Sequence, residues 1–263
     1  MPSQIKGRKP PTKISHKYSR GVVAIVAGSD KFPGSAVLTV GGARRGGAGY
    51  VKYLDKSKVA TSLVLNRFPD VVPIRDLNQE QINAAVIGPG AVTVKRLPPE
   101  IPLVIDGVAM SLLLQNSSGR SENQIIVVTP HEGELRFLGY EHSKERTVPL
   151  TQTQTQRAKL AQQVANELNV ITVLKGHKTV IAAPNSKLIL DNLGGAELAV
   201  AGSGDVLAGL IGAFLASWQP STISRAQEVV AAAVNLHSRA GKHAANKLSN
   251  VLATDLLESL AEC

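Results

Sequence analysis

Residues 21–28 read GVVAIVAG, an apolar and largely β-branched run that ends in glycine. The small-residue segment that follows, from Gly34 to about Arg45, predicts a helix. The same order of strand, glycine-rich turn and helix recurs along the chain. Apolar strands that alternate with helices are typical of βαβ units with right-handed crossovers. Residues 21–45 therefore predict an α/β fold with a mostly parallel sheet.

The rest of the chain extends this pattern into one domain over residues 17–263, preceded by a flexible basic leader at residues 1–16. Further strands are predicted at AGYVKYL from Ala48, SLVLN from Ser62, AAVIGPG from Ala84, LVIDG from Leu103, IIVVTPH from Ile125 and VITVLKG from Val170. A hairpin is predicted for TVIAAP from Thr179 and KLILDN from Lys187, about Pro184 and Asn185. Later helices are predicted from Arg157 over RAKLAQQVANEL, at about Ser203 to Ser217, at about Ser224 to Lys242, and from Ala253.

The composition suits a large apolar core built without many aromatic side chains. Hydrophobic residues make up 43% of the 263 residues, charged residues 19% and aromatic residues 3%. That balance excludes a disordered chain. It favours buried parallel strands of Ala, Val, Leu and Ile, sandwiched by helices.

The positive charge is concentrated at the N-terminus. The formal net charge is +9, but residues 1–20 hold six basic residues and no acid, which leaves 23 basic and 20 acidic residues elsewhere. The sequence shows no basic stretch interleaved with aromatics in the folded part, so a nucleic-acid partner is not expected, while an anionic small ligand is compatible. The leader is interpreted as a solvated tail, with an organelle transit sequence as the alternative.

Cysteine usage and hydropathy favour the cytosol. The one cysteine, Cys263, is the last residue, so no intrachain disulfide can form. The longest apolar stretch, Val206–Trp218, is too short to span a bilayer. The N-terminus has no apolar segment of the kind that follows the charges of a secretory signal. A cytoplasmic protein with no membrane partner is expected.

Glycines and polar residues follow five of the predicted strands. GSDKFPGSA follows the first, GPG the fourth, Asp106 ends the fifth, TPHEGE follows the sixth and KGHKT the seventh. In a sheet of this kind, ligands bind beyond the carboxyl ends of the strands. A glycine-rich strand end alone can serve only for turning, but five at one edge predict a ligand site there.

The segment AGSGDVLAG, which starts at Ala201, carries the sharpest pattern. Gly202 and Gly204 let the backbone approach a ligand at the start of a helix, where free N–H groups favour an anion such as phosphate. Asp205, beside that site, is suited to taking a proton from a hydroxyl whose oxygen attacks phosphorus. The structural alternative is that Ser203 caps the helix and Asp205 is only a first-turn acid.

GSGD at the start of a late helix, after a strand that ends in LKG, resembles the anion hole and catalytic Asp of ribokinase-like enzymes. The wider pattern resembles one branch of them, the ADP-dependent NAD(P)H-hydrate dehydratases, related to the C-terminal domain of YjeF-type bifunctional proteins. It runs from about Lys17 to Leu260, and the leader is too short to hold the epimerase domain of those proteins. The residues that carry it are Gly28-Ser29, Pro33 to Ala36, Gly46 to Gly49, Gly88 to Gly90, Asp106, Thr129 to His131, Gly133-Glu134, Lys175-Gly176, Gly202 to Gly209, His237, Gly241 and Ala253 to Asp255.

The resemblance implies a three-layer α/β/α ribokinase-like fold and a carbon–oxygen lyase that repairs the hydrated form of NADH or NADPH. ADP or ATP would phosphorylate the hydrate's hydroxyl, and loss of phosphate would restore the ring double bond. Phosphate is a far better leaving group than hydroxide. Mg²⁺ would neutralise the phosphates, with no metal site made by protein side chains. Relatives of this kind often form tetramers, so a homo-oligomer is expected.

The resemblance also assigns residues by position. Ser35, Gly90, His131 and Asp205 would contact the hydrated dinucleotide, with Asp205 as the base. The adenine nucleotide would contact Lys175, Gly176, His177, Lys178, Thr179, Gly202, Ser203 and Gly204. His131 separates this branch from related vitamin kinases, because TPH-x-GE resembles the dehydratases and TPN-x-x-E the kinases.

Several alternatives stay open. The chain can instead be a vitamin-type small-molecule kinase, or an inactive nucleotide-binding or nucleic-acid-tethered relative whose functional contact is residues 1–20. Asp106 can reach metal or substrate or only brace a loop, and Lys175 can pair with phosphate or cap its strand. Glu134 is interpreted as a helix cap and His237 as a packed helix histidine. The chain departs from the family's usual residues at Ser35 (usually Ala), Ala201 (usually Gly), Ser203 (usually Thr) and His177 (usually small), and it lacks the second acid that usually follows Asp106.

Overall fold

The strands assemble into one sheet whose order places the first strand near its middle. The structure is a computed structural model that describes residues 5–78, 80–98, 100–115, 121, 123–140 and 153–263. Within these residues the sheet has nine strands in the order β3-β2-β1-β4-β5-β6-β7-β8-β9. The strands are β1 Val22–Val26, β2 Tyr50–Leu54, β3 Val72–Ile74, β4 Ala84–Ile87, β5 Leu103–Ile105, β6 Ile126–Val128, β7 Ile171–Leu174, β8 Thr179–Ala182 and β9 Ile189–Asp191.

Strands β1 to β7 pair in parallel, while β8 pairs antiparallel with both β7 and β9. The predicted mostly parallel sheet and its terminal hairpin are therefore confirmed. The helices are α1 Gly34–Arg45, α2 Lys58–Arg67, α3 Leu112–Gln115, α4 Gln154–Leu168, α5 Ser203–Trp218, α6 Ile223–Lys247 and α7 Ala253–Glu262. Shorter 3₁₀ segments lie at Gly107–Ser111, Glu132–Leu138 and Ala196–Leu198.

The predicted three layers follow from the alternation of side chains along each strand. In β1, Val23 and Ile25 join a core cluster shared with α1, α5, α6 and α7. Ala24 and Val26, on the opposite face, join a second cluster shared with α3 and α4. Both faces of this strand are fully buried, which explains why its sequence is continuously apolar rather than alternating.

The third predicted strand, SLVLN from Ser62, is wrong, because this segment lies within the helix α2. A short apolar run does not by itself distinguish a strand from a helix. The Ser57 side chain caps the helix by accepting from the backbone N–H of Ala60, and Ala60 and Val64, four residues apart, form its buried face. The strand in this region is β3, Val72–Ile74, which the sequence analysis missed.

Two helices extend beyond their predicted ends. Helix α4 begins at Gln154 rather than Arg157, since Thr153 and Gln156 form a capping box at its start. Helix α6 continues to Lys247, five residues past the predicted end. Helices α1, α5 and α7 lie close to where the sequence places them.

Glycines set the approach of α1 and α5, the two helices whose first turns reach the site. A Cβ atom at Gly42 of α1 would overlap the carbonyl oxygen of Val206, and one at Gly209 of α5 would overlap that of Thr39. The backbones of the two helices therefore touch directly. This contact fixes the start of α5 relative to the start of α1.

The described part of the basic leader contacts the body of the protein. Ile5 is buried, and the guanidinium of Arg8 donates to the carbonyl oxygens of Arg45, Leu260 and Cys263. The indole of Trp218 donates to the carbonyl oxygen of Gly7. The division of the chain into a flexible leader to residue 16 and a domain from residue 17 stays a prediction. Within the described residues, no helix is both long and apolar enough to cross a membrane.

Candidate active site

One lysine at the carboxyl edge of the sheet faces several acids. Lys175 follows β7, and its Nζ lies 3.2 Å from Asp106 after β5 and 3.4 Å from Glu134 after β6. Asp106 also accepts a 2.6 Å hydrogen bond from Thr129. Burial alone would lower the pKa of Lys175, but Asp106 and Glu134 outweigh it and raise that pKa. Lys175 is therefore an ammonium held in place by two carboxylates.

The backbone at the start of α5 passes directly beneath this ammonium. A Cβ atom at Gly204 would lie 3.1 Å from Lys175 Nζ. Gly202 is the N-cap residue, with a left-handed φ of 89°, and no side chain caps the helix. The alternative that Ser203 serves as the cap is therefore wrong. The N–H of Ser203 donates to the carbonyl oxygen of Val200, and no capping side chain accepts from the N–H groups of Gly204 and Asp205, which remain available to an anion.

A buried histidine supports the same turn from behind. His237 of α6 is 4% exposed, and its Nε2 lies 3.1 Å from the carbonyl oxygen of Ser203. Burial lowers the pKa of His237 to about 4, so the ring is neutral at physiological pH. A carbonyl oxygen only accepts, which means that Nε2 carries the proton and donates. The prediction that His237 is a packed helix histidine is confirmed, and its contact shows what it holds.

Asp205 lies one residue further along α5, beside the start of α1. Burial raises its pKa to about 6, while a hydrogen bond from Ser35 acts in the opposite direction. The nearby Asp106 and Glu134 also raise this pKa, and Lys175 lowers it. A carboxyl group that titrates near neutrality can both take and release a proton at working pH.

Glycines bring the loop after β1 against the loop after β4. Gly90 has a φ of 76°, and a Cβ atom there would lie 2.8 Å from that of Ser35 and 2.9 Å from Gly28 Cα. The hydroxyl of Ser29 donates to the carbonyl oxygen of Gly90 at 2.8 Å. Ser35, Gly90 and Asp205, three of the four residues assigned to the dinucleotide, therefore lie together.

His131, the fourth of these residues, stands at the start of the 3₁₀ segment after β6. Its Nδ1 accepts from the N–H of Gly133 at 3.0 Å, and Glu134 accepts from the N–H of His131 at 2.9 Å. The prediction that Glu134 is a helix cap is confirmed, and the same carboxylate also pairs with Lys175. The His131 side chain remains 59% exposed, so its ring is accessible to a ligand.

A cavity of about 500 Å³ opens beside these groups. Its floor is the start of α5, and its far wall is apolar and comes from the 3₁₀ segment before α5 and from α6. Ala201, where the family usually has glycine, is exposed and does not line the cavity. The lining residues are His131, Lys175, Gly176, His177, Thr179, Gly195, Ala196, Leu198, Ala199, Val200, Ser203, Gly204, Leu207, Val234, His237 and Ser238.

The loop between β7 and β8 is held by an arginine that the sequence analysis missed. Arg157 of α4 is buried, pairs with Glu132 at 2.6 Å, and donates to the carbonyl oxygens of Lys175 and Lys178 at 2.9 and 2.8 Å. A Cβ atom at Gly176 would overlap its guanidinium. Lys178 contributes this carbonyl and does not line the cavity. No local signal marked Arg157, which stands in an ordinary amphipathic helix.

A family model described as NAD(P)H-hydrate dehydratase matches residues 23–262. The chain belongs to the NAD(P)H-hydrate dehydratase family. Among relatives, the ADP-dependent (S)-NAD(P)H-hydrate dehydratase of Lactococcus lactis is 32% identical over 273 residues, covering 97% of this chain and 92% of that protein.

A longer relative and a solved structure extend this comparison. The bifunctional NAD(P)H-hydrate repair enzyme Nnr of Mycobacterium tuberculosis is 34% identical over 218 residues, covering 78% of this chain. The match accounts for only 43% of that longer protein. The crystal structure of the Bacillus subtilis ADP/ATP-dependent NAD(P)H-hydrate dehydratase, co-crystallised with ATP and Mg²⁺, superposes with a TM-score of 0.78 at 27% identity. The superposition covers 98% of this chain and 93% of the Bacillus subtilis chain.

Proposed function

We propose that this chain catalyses the ADP-dependent dehydration of (S)-NAD(P)H-hydrate, restoring NADH or NADPH and releasing AMP and phosphate. The observation that carries the proposal is the placement of Asp205. Its carboxylate lies beside the uncapped N–H groups of α5, in a chain of the dehydratase family. A base next to an anion cradle is what transfer of a phosphoryl group to a hydroxyl requires.

In the first step, Asp205 takes the proton of the hydrate's hydroxyl as that oxygen attacks the terminal phosphorus of ADP. The P–O bond to the leaving AMP breaks as the new P–O bond forms. The N–H groups of Gly202 and Gly204 hold the oxygens of the transferring group, while that of Ser203 stays bonded to the carbonyl oxygen of Val200. Removal of one such donor in other enzymes costs about 3–4 kcal/mol of transition-state stabilisation. His237 keeps this turn in register through the Ser203 carbonyl.

In the second step, the phosphorylated carbon–oxygen bond breaks and phosphate leaves with the bonding electrons. A proton is lost from the neighbouring ring carbon, and the double bond of the dihydropyridine returns. Atoms balance without a net water, because the oxygen of the hydroxyl departs within the phosphate.

The nucleotide is proposed to lie in the cavity beside α5. Its polar end, with Lys175 and Gly204, is suited to phosphates, and its apolar end, with Leu198, Leu207 and Val234, is suited to an adenine ring. Arg157 holds the 175–179 loop that closes one side. The dinucleotide is assigned to the side of the cavity where Ser35 and Gly90 lie together with Asp205, and His131 lines the cavity itself.

The residues present fit a magnesium ion carried by phosphate rather than by the protein. Among the described residues, no group of three His, Cys, Asp or Glu side chains is placed to hold a metal ion. Three carboxylates, those of Asp106, Glu134 and Asp205, face the ammonium of Lys175. A polyphosphate added to this surplus of negative charge calls for a further cation. When bound, Mg²⁺ supplies that positive charge to the phosphate oxygens.

The test is to incubate the purified chain with hydrated NADH, ADP and Mg²⁺ and to follow recovery of the NADH absorbance band. Asp205→Asn is expected to lower kcat by about 10²–10⁴-fold while ADP binding, measured by calorimetry, is retained. Asp70→Asn is the matched control, since Asp70 makes only a surface ion pair with Arg44 at the opposite edge of the sheet.

Folded protein that binds ADP but never restores the band would overturn the proposal. Accumulation of a phosphorylated alcohol without elimination would indicate a vitamin-type kinase instead. An Asp205→Asn variant with unchanged turnover would remove Asp205 from the role of base.

A cytoplasmic location and a homotetramer are part of the same proposal. The single cysteine supports the first. Light scattering of the purified protein tests the second, and a monomer at micromolar concentration would contradict it.

A further inference from the structure

The basic leader forms part of a second polar surface, separate from the dehydratase site. Arg8 is anchored to carbonyl oxygens at the ends of α1 and α7, and Gly49 leaves room for the backbone of Lys17 to pass. Lys9, Lys13 and Lys17 are all exposed, and none of them makes an ion pair within the described part of the chain. The positive charges of the leader therefore lie on a part of the protein surface whose position is fixed by contacts of Arg8 and Lys17 with the body.

Two tyrosines lie within this surface. Tyr18 of the leader and Tyr50 at the start of β2 stand edge to face, with ring centroids 5.9 Å apart. The ammonium of Lys17 lies 5.1 Å from one ring and 4.7 Å from the other, and Tyr18 is 40% exposed. This arrangement is not visible in the sequence, because Tyr50 is distant along the chain and reaches Lys17 only in the fold.

A groove runs between the leader and the body next to these rings. Its cavity of about 270 Å³ is lined by the cations Lys9 and Arg20, by His16 and several hydroxyl groups, and by the apolar side chains of Pro10 and Ile14. Arg20 donates to the carbonyl oxygen of Gly47, but its Nε is buried without a hydrogen-bond partner in the described structure. An acceptor that binds beside Arg20 in the groove would give this donor a partner.

The surface lies at the amino-terminal ends of β1 and β2, whereas the dehydratase cavity lies at the carboxyl ends of the strands. A partner can therefore bind here without covering the active site. Lys9 and Arg20 line the groove, and the His16 ring in its lining stands 6.3 Å from the ring of Tyr18, which Lys17 contacts. Cations with aromatic rings close by match a chain of phosphates with unpaired bases. An anionic membrane fits less well, because the surface is concave and Ile14 is the one strongly exposed aliphatic side chain of residues 5–20.

We propose that residues 9–20, together with Tyr50, form a binding surface for single-stranded nucleic acid. The phosphates lie against Lys9, Lys17 and Arg20, and a base stacks on Tyr18. This proposal takes up the sequence-based alternative that residues 1–20 contact nucleic acid in place of the expectation that nucleic acid is not a partner. It does not depend on the dehydratase reaction.

The test is fluorescence anisotropy of the full chain with a labelled single-stranded RNA of about 20 nucleotides, titrated at several salt concentrations. Affinity is expected to fall as salt rises. Tyr18→Ala is expected to weaken binding by about fivefold or more through lost stacking, and Lys17→Glu is expected to reduce both the affinity and the salt slope. Lys95→Glu is the matched control. Lys95 is exposed and lies between β4 and β5, outside the proposed surface, and its substitution changes the net charge by the same amount as Lys17→Glu.

Dehydratase activity of these variants is measured in parallel and is expected to stay unchanged. The proposal is overturned if the wild-type chain does not bind the RNA, or if Lys95→Glu weakens binding as much as Lys17→Glu. The proposal is also overturned if the chain binds a duplex as tightly as the single-stranded RNA and Tyr18→Ala binds the RNA as tightly as the wild type. Stacking would then play no part. Binding to vesicles of anionic phospholipid but not to RNA would assign the surface to membranes instead.

Discussion

The protonation of Asp205 should set the acid limb of the pH–rate profile. Burial in the first turn of α5 raises the pKa of this carboxyl group from 3.8 to about 6. Only the ionised form can take the proton of the substrate's hydroxyl. The value of kcat/KM should therefore rise with pH through about 6 and level off above it.

The size of the effect follows from the shift. With a pKa of about 6, roughly nine-tenths of the carboxyl is ionised at pH 7 and roughly one-tenth at pH 5, so kcat/KM should fall about tenfold between them. With the ordinary value of 3.8, the same interval would change the ionised fraction by only about 5–10%. The two cases are easily distinguished.

Ser35 provides a second perturbation of the same group. Its hydrogen bond lowers the pKa of Asp205, so Ser35→Ala should move the acid limb to higher pH. Ser62→Ala, on the exposed side of α2, is the matched control and should leave the limb in place. The assay is recovery of the NADH band at limiting NADH-hydrate over about pH 4.5–8.5, with protein integrity checked by circular dichroism at each pH.

Two results would refute this reasoning. A limb centred near 4 in the wild type would mean that Asp205 is not the group that controls the rate, or that burial does not perturb it. A shift to lower pH in Ser35→Ala would mean that the hydroxyl does not stabilise the carboxylate.

Three further predictions concern stability and nucleotide binding. The pKa of Asp205 is higher in the folded state, so its protonation stabilises the fold below pH 3.8, and this contribution is lost as pH rises through about 6. Asp205→Asn should therefore raise the free energy of unfolding, measured with urea, by about 1–3 kcal/mol at pH 7.5. The same substitution should give no gain at pH 4. Gly209→Ala should lower that free energy by about 1–3 kcal/mol, because the new methyl would overlap the Thr39 carbonyl, and an unchanged midpoint would contradict the close helix contact. Arg157→Lys should raise the KM for ADP about fivefold or more with little change in kcat, because lysine cannot donate to the carbonyl oxygens of Lys175 and Lys178 at once as the arginine fork does. A loss of kcat alone would argue against a role of Arg157 in holding that loop.

The sequence predicted those parts of the fold that depend on strong local patterns. Continuous apolar runs such as Val22–Val26 identify strands buried on both faces, and glycines after them mark the ligand edge. The prediction failed at Ser62, where the apolar run is short and the deciding feature is a serine cap five residues earlier. Local apolar content does not fix the period of a five-residue segment, so capping and tertiary packing decide between helix and strand.

The candidate site was predictable as a set of positions but not as a set of interactions. The sequence marks Lys175, Asp106 and Glu134 only as residues after three different strands. Their ion pairs appear when the parallel register brings the strand ends together, which leaves Lys175 bonded to acids rather than free to be only a phosphate ligand. Arg157 and the pairing of Tyr18 with Tyr50 had no sequence signal, because each depends on contacts between elements distant along the chain.

Two features of the structure favour the interpretation of Asp205 as a base over the alternative of a simple first-turn acid. An acid that only complements a helix dipole is stabilised by the first turn, so its pKa should be lowered. Asp205 shows the opposite shift, and the N-cap residue before it is a glycine with no capping side chain. The close contact of α1 with α5 keeps this carboxyl buried beside Ser35 although burial of its charge costs stability. The close contact of α1 and α5 at Gly42 and Gly209 thus holds an acid whose ionised form is disfavoured next to uncapped N–H groups. This arrangement is expected of a base and not of a cap.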